Sequence, residues 1–393
     1  MKNFKNFLKP SWGLTFIAVL FFTACEMDQT QILDQNDSQH SRLDNNQLPE
    51  GYESRINPQL RSSDPNGRLM EIEQQTDTYY RELVQRAMAV EPTECSSTEF
   101  DAWINEELAD WAFNEIFWAS ITGMLDFPTY DALLFSNTSE GEYFGKDGEY
   151  TQKMTKTFKD LKRFWTIDSE DIVLAAMHGN MLQDRDRLIR IDQILYLDDL
   201  PTAEYWADLI LELLEEIPQY RNGEHPIFTL NAFAQSAFFF PPVGEVPSKI
   251  IMGDGILEGY ETLGFGDVAP QAILAHEFGH HIQFQLDLFE EFRSPEATRR
   301  TELMADAYSA YYLSHSKGAT MQWKRVQQFL EVFFAIGDCG FESYGHHGTP
   351  IQRMAAAEWG YELADQAQKQ GHIMDPLEFA TLFDAALPEL VAP

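Results

Sequence analysis

His276-Glu277-Phe278-Gly279-His280 sets two imidazoles four residues apart with a carboxylate beside the first. Residues at that spacing share one face of an α-helix, so both rings can aim a nitrogen at a single ion. Glu277 stands about 100° round the helix, near enough to reach water at that ion without entering the ligand set. This is the HExxH pattern of zinc hydrolysis, with the glutamate as general base. Leu274, Phe278 and Ile282 recur every four residues as an apolar stripe on another face, so the segment reads as a helix packed into a core. Asp267 is the expected N-cap and Pro270 falls in the first turn. Gly279 costs about 1 kcal/mol of helix propensity against Ala, so another backbone is expected to pass close by.

Catalytic zinc takes three protein ligands and keeps one place for water, so a third ligand is sought downstream. Glu302 is the expected one, in a helix that opens with Ser294 as N-cap and Pro295 at its first position. Asp306 follows one turn later, where it can accept a hydrogen bond from the far nitrogen of a liganding histidine and fix its tautomer. The neighbours Leu303, Met304, Ala305, Ala307 and Tyr308 speak for burial, and a buried carboxylate pair needs a cation.

At this point the pattern resembles the gluzincin group of metallopeptidases, in which HExxH on one helix is completed by a Glu on the next. More narrowly, Ala275-His276-Glu277-Phe278-Gly279-His280-His281-Ile282-Gln283 is similar to the signature of the bacterial neutral zinc metallopeptidase family, HE[FY]GHH followed by an apolar residue and Gln. Glu302-Leu303-Met304-Ala305-Asp306 fits that family's E-L-x-A-D. Ile336-Gly337-Asp338, followed by His347-Gly348-Thr349-Pro350-Ile351-Gln352-Arg353, resembles its third block. The resemblance covers roughly the last 130 to 170 residues and does not extend into the preceding half. It implies a zinc metalloendopeptidase with His276, His280 and Glu302 on Zn2+, Glu277 as catalytic base and a peptide or protein as substrate.

Thr349 and Gln352 form a T-x-x-Q capping box with Pro350 at the first helical position, which accounts for both without any catalytic role. His347, just before that helix, is a second catalytic expectation, as the donor that stabilises the oxyanion. Tyr344 is its rival for the role. His281 and His346 read as structural or supporting residues, and His40, His178, His225, His315 and His372 as surface or satisfied core.

Upstream, helical periodicity dominates from about Arg68 to Tyr220, most clearly through Trp103, Leu108, Trp111, Ala112, Phe117 and Ile121, and through Tyr205, Ala207, Leu209, Leu211 and Leu214. Ser136 to Tyr150 reads as a surface loop. Ile227 to Ala234 is β-prone and reads as a strand, with Lys249-Ile250-Ile251-Met252 as a second. Two strands before the zinc helix either cap it or offer an edge on which an extended peptide aligns. The expected fold is therefore α+β and predominantly α-helical. A helical region, 67–222, precedes a zincin-like core, 223–393, made of a small sheet, the HExxH helix and the Glu-ligand helix.

The first residues resemble an export signal. Lys2, Lys5 and Lys9 precede the apolar run Leu14 to Phe22, and Phe22-Thr23-Ala24-Cys25 resembles the lipobox of a bacterial lipoprotein. Residues 1–24 are the expected signal peptide and 25–66, rich in Asp, Gln, Asn and Ser, a disordered tether. The expected address is export, with a lipid on Cys25 anchoring the protein to a bacterial membrane, either the outer membrane or the cell surface. Cleavage as an ordinary secretory signal is the alternative. Cys95 and Cys339 then remain, either paired or as two buried thiols. With 63 acidic against 28 basic residues, nucleic acid is a poor partner. Two other readings compete: a di-iron carboxylate bundle, which needs a second ExxH that the chain lacks, and an exported binding lipoprotein without peptidase activity.

Overall fold

Lys249–Gly253 forms the central strand, β5, because the β-branched pair Ile250 and Ile251 suits a pleated backbone and both faces of the strand are covered. The computed structural model describes residues 98–289, 294–322, 324, 325, 328, 348–368 and 371–392. These are mostly helical, with a small mixed sheet. β5 pairs in parallel with β1 (Val173–Met177) and antiparallel with β2 (Ala232–Gln235), giving the order β1-β5-β2. A separate hairpin joins β3 (Phe238–Phe240) to β4 (Gly244–Val246).

Several expectations are corrected. β1 lies inside the stretch read as helical, since Val-Leu-Ala-Ala-Met is apolar throughout and buried, and a short run without alternation gives no period to separate strand from helix. The sheet therefore draws on both sides of residue 222. The segment read as a strand from Ile227 is extended only from Ala232. Pro226 opens a 3-10 turn over Pro226–Thr229, and the His225 ring accepts the Ile227 N–H at 3.2 Å, which winds the chain. The periodic run from Trp103 to Ile121 is two helices, α1 (Glu99–Glu107) and α2 (Phe113–Ile121). Glu115 accepts the Ala112 N–H at 2.7 Å and so restarts the second helix. The loop at 136–150 contains no regular element, as its polar, Gly-containing sequence implies.

The remaining helices build walls around the sheet. α3 (Phe127–Phe135) packs on β1 and β5 and ends over Lys249, whose fully buried ammonium donates to Ala132 O at 3.1 Å and Leu133 O at 2.6 Å. Those are carbonyls of a last helical turn with no intrahelical partner. Burial brings this lysine's pKa down to about 7. After α4 (Thr151–Phe164), α5 (Arg185–Leu195) and α6 (Leu200–Glu216), α7 (Asp254–Thr262) leaves the end of β5. α8 (Ala269–Gln285) lies on β2, β5 and α4. Here Val268, not Asp267, occupies the N-cap, because Asp267 pairs with Arg325; Pro270 sits in the first turn as expected. α8 is buried nearly all round, so its apolar stripe is only one of its packed faces.

α9 (Pro295–Ser314) crosses α8 closely. A Cβ built on Gly279 would lie 3.1 Å from Ala305 Cα, which is the close backbone approach that the glycine implies. α10 (Pro350–Gln368) packs along α9, and α11 (Pro376–Leu390) rests on both. No helix among the described residues is long and apolar enough to cross a membrane.

Candidate metal centre

The crossing at Gly279 sets the α9 carboxylates against the α8 imidazoles. Ser294 Oγ accepts the Ala297 N–H at 3.1 Å and Pro295 follows, so α9 starts where the sequence places it. That start fixes which residues face α8. Glu302 comes within 3.3 Å of His276 Nε2 through Oε2 and within 3.4 Å of His280 Nε2 through Oε1. The two Nε2 atoms are 3.2 Å apart. On a tetrahedron with metal–ligand bonds of about 2.0 to 2.1 Å, ligand atoms are separated by about 3.3 Å; the two imidazole nitrogens have that spacing, and Glu302 sets one oxygen near each of them. Among the described residues, His276, His280 and Glu302 are the one group that could hold a metal ion.

Each imidazole is held from behind. His276 donates its Nδ1 proton to Asp306 Oδ1 at 2.8 Å, and His280 donates its own to Gln283 Oε1 at 2.8 Å. Nδ1 is thereby the donor to these partners on both rings, and Nε2 is the nitrogen that faces Glu302. Gln283 is itself anchored, donating to Thr301 O at 2.7 Å. Asp306 accepts Arg353 Nε at 2.8 Å and Nη2 at 2.6 Å, and both side chains are essentially inaccessible to water. His281 donates to Lys249 O at 2.8 Å, so it ties α8 to β5 and is structural.

Glu277 is buried at 6% exposure and lies outside the ligand group. Burial pushes its pKa up to about 8; Glu302 adds to the rise, while His276, Arg353 and the Ala234 N–H work against it. Burial lowers His276, but hydrogen bonds to Asp306 and Glu302 outweigh it and carry the ring up to about 10. His280 has no such carboxylate at Nδ1, and burial takes it down to about 4.

The sequence-derived set of His276, Glu277, His280, Glu302 and Asp306 is thus brought together. His347, Tyr344 and His346 lie outside the described residues, as do His40, all three cysteines, the Ile336-Gly337-Asp338 block and residues 1–97. The Thr349–Gln352 box is present, with reciprocal bonds of 3.2 Å. His225 and His315 are satisfied core groups, each with both ring nitrogens hydrogen-bonded. Sequence reasoning missed Gln283 and Arg353 as partners of the centre. Gln283 had a signal, since it lies one turn beyond His280 on the same face. Arg353 ends the third block of the resemblance, but nothing local relates it to Asp306.

Replacing Gln283 by Leu removes the acceptor that orients His280, and the expected result is metal affinity about 10–100-fold weaker, read by competition against a chelator. Affinity equal to wild type would mean that the ring is oriented by helix packing alone.

Comparison with family models, curated proteins and solved structures gives no match to this chain.

Proposed function

We propose that this chain is a zinc-dependent metalloendopeptidase of the gluzincin type, built on a zincin-like core. The observation that carries this reading is the His276–His280–Glu302 group, whose ligand atoms lie within 4.8 Å of one another, with the buried Glu277 beside it and outside it. Two imidazoles and one carboxylate are a donor set that suits zinc.

When bound, zinc supplies Lewis acidity, acidifying water and polarising a peptide carbonyl. The protein's own groups do the rest. Glu277, whose pKa burial holds near neutrality, takes the proton of the attacking water and passes it to the leaving amine. Asp306 and Gln283 hold both imidazoles aimed. β2 is the edge of its sheet among the described residues, and Ala234 turns its N–H outward to Glu277. An extended peptide running beside that edge brings a backbone carbonyl to Glu277 whatever its side chains. The lipid-anchored, exported address remains part of the proposal and rests on the sequence around Cys25.

Zinc content of the purified protein, together with chelator-sensitive cleavage of casein or a quenched peptide, tests this reading. Bound zinc without cleavage would favour the binding-lipoprotein alternative and overturn it.

A pH effect also follows. After chelation, Glu277 and His276 hold protons in the folded state above their ordinary values of 4.5 and 6.5, up to about 8 and about 10. The folded chain then binds more protons than the unfolded one, so these groups lose their contribution to stability as pH rises through neutrality. Metal replaces those protons. The rise in melting temperature on adding zinc should be larger at pH 8 than at pH 6; calorimetry on loaded and chelated protein reads it, and a constant rise would contradict it.

A further inference from the structure

α8 ends in a turn that doubles back toward the metal centre. Leu286 caps the helix, Asp287 takes the left-handed conformation with φ of 53°, and the Leu288 N–H returns to Gln283 O at 3.0 Å. That bond marks a Schellman turn, whose left-handed place glycine usually fills; Asp287 adopts it although its Cβ opposes the conformation. Arg300 on α9 donates to Leu288 O at 2.7 Å and pairs with Asp384 on α11, so the turn is held from both helices. Gln283 joins the turn to the centre: its side chain accepts from His280 while its own carbonyl accepts from Leu288.

What this turn delivers is Phe289. Its ring lies nearly parallel to Phe284, with centroids 5.0 Å apart and planes 17° from each other, and its centroid is 6.5 Å from that of His280. Phe284 in turn meets His281 edge-on at 5.5 Å. Both phenyl rings are half-buried, so each keeps apolar surface open to water beside the imidazoles. The centre itself is not sealed, since the His280 and Glu302 side chains retain 10% and 12% of their surface. Neither ring belongs to the blocks of the family resemblance, the first of which ends at Gln283 and the second of which begins at Glu302.

The chemistry of the rings selects what they hold. Phenyl faces make no ordinary hydrogen bond, so they retain a ligand by apolar contact and ring stacking alone. Distance selects which part of a peptide they meet. Consecutive Cα atoms are about 3.8 Å apart, so once a peptide carbonyl is at the ion, the side chains that reach a ring beside His280 belong to the residues flanking that carbonyl. An apolar side chain laid there removes from water the ring surface that the fold leaves open. We infer that Phe284 and Phe289 form an apolar shelf that selects substrates with an aromatic or large aliphatic side chain next to the scissile bond, Phe289 being the principal contact; this rests on the peptidase reading above.

The test uses the full, zinc-loaded protein and two probes with the same zinc-binding head, 3-phenylpropanohydroxamate and acetohydroxamate. Calorimetry should show the phenyl compound bound at least about tenfold more tightly, the lower end of what apolar contacts discriminate, and Phe289→Ala should remove most of that ratio by weakening the phenyl compound alone. Phe289→Leu keeps an apolar contact and should retain more of the ratio than Phe289→Ala. Among peptides that differ only at the residues flanking the cleaved bond, kcat/KM should follow the same order, with Phe and Leu above Ala and Ser. Equal binding of the two hydroxamates, or a ratio unchanged in both Phe289→Ala and Phe284→Ala, would overturn the shelf. So would an equal loss for both compounds in Phe289→Ala, which would reduce the ring to a brace for His280. The two readings fail separately: hydroxamate discrimination without cleavage of any peptide keeps the shelf and sinks the peptidase, whereas cleavage without preference at these positions sinks the shelf alone.

Discussion

Glu277→Gln should keep the metal and lose the hydrolysis. The side chain lies outside the His276–His280–Glu302 group, so its charge is not needed to hold the ion in place. A general base contributes about 10²- to 10⁴-fold, and a carboxamide cannot accept a proton at neutral pH, so kcat/KM should fall by at least about 10²-fold with zinc content unchanged. The variant should also be no less stable than wild type. Burial raises the glutamate's pKa to about 8, so ionising it in the folded chain works against folding, and glutamine removes that opposition without changing shape. Near wild-type turnover would exclude Glu277 as the base, and loss of zinc would move it into the ligand set.

Arg353→Met should be the most damaging single change to stability among the groups that support the centre. It leaves Asp306, which has no exposed surface, charged and deprived of both guanidinium bonds. Breaking a buried pair in this way costs about 3–5 kcal/mol, or roughly 10 °C in melting temperature for a domain of this size. The double variant Arg353→Met with Asp306→Leu separates two roles. Replacing both partners with apolar groups should restore most of the stability. It should not restore zinc affinity, which is expected to stay about 10–100-fold weaker because His276 has lost the acceptor at Nδ1. A double variant that binds zinc like wild type would show that Asp306 matters only as a partner for Arg353.

The legibility of this site followed sequence distance. His276, Glu277 and His280 lie within one turn and a half of one helix, so helical geometry alone relates them. Glu302 and Asp306 were readable because α9 carries its own start signals, and a helix with a fixed start has fixed faces. The T-x-x-Q box likewise marked where α10 begins. β1 was not legible, because an apolar pentapeptide that is buried reads the same as a turn of buried helix. The extended reading of Ile227 failed for a related reason: side-chain propensity favoured a strand, but Pro226 and the His225 ring set a local turn.

By itself, the sequence determined which side chains could form the centre: which of them offer ligand atoms, which carboxylate stands beside them, and where the two helices that carry them start. These depend on residue identity and on contacts within a few positions of the chain. Only the tertiary structure decided that Ala305 closes on Gly279, that Arg353 lies behind Asp306, and that His178 meets Asp254 at the ends of two paired strands. Those pairings join residues 26, 47 and 76 positions apart, and no local periodicity carries information across such distances. They come from the global packing of buried surface, which is why the residues of the candidate centre could be read from the chain while these long-range partners could not.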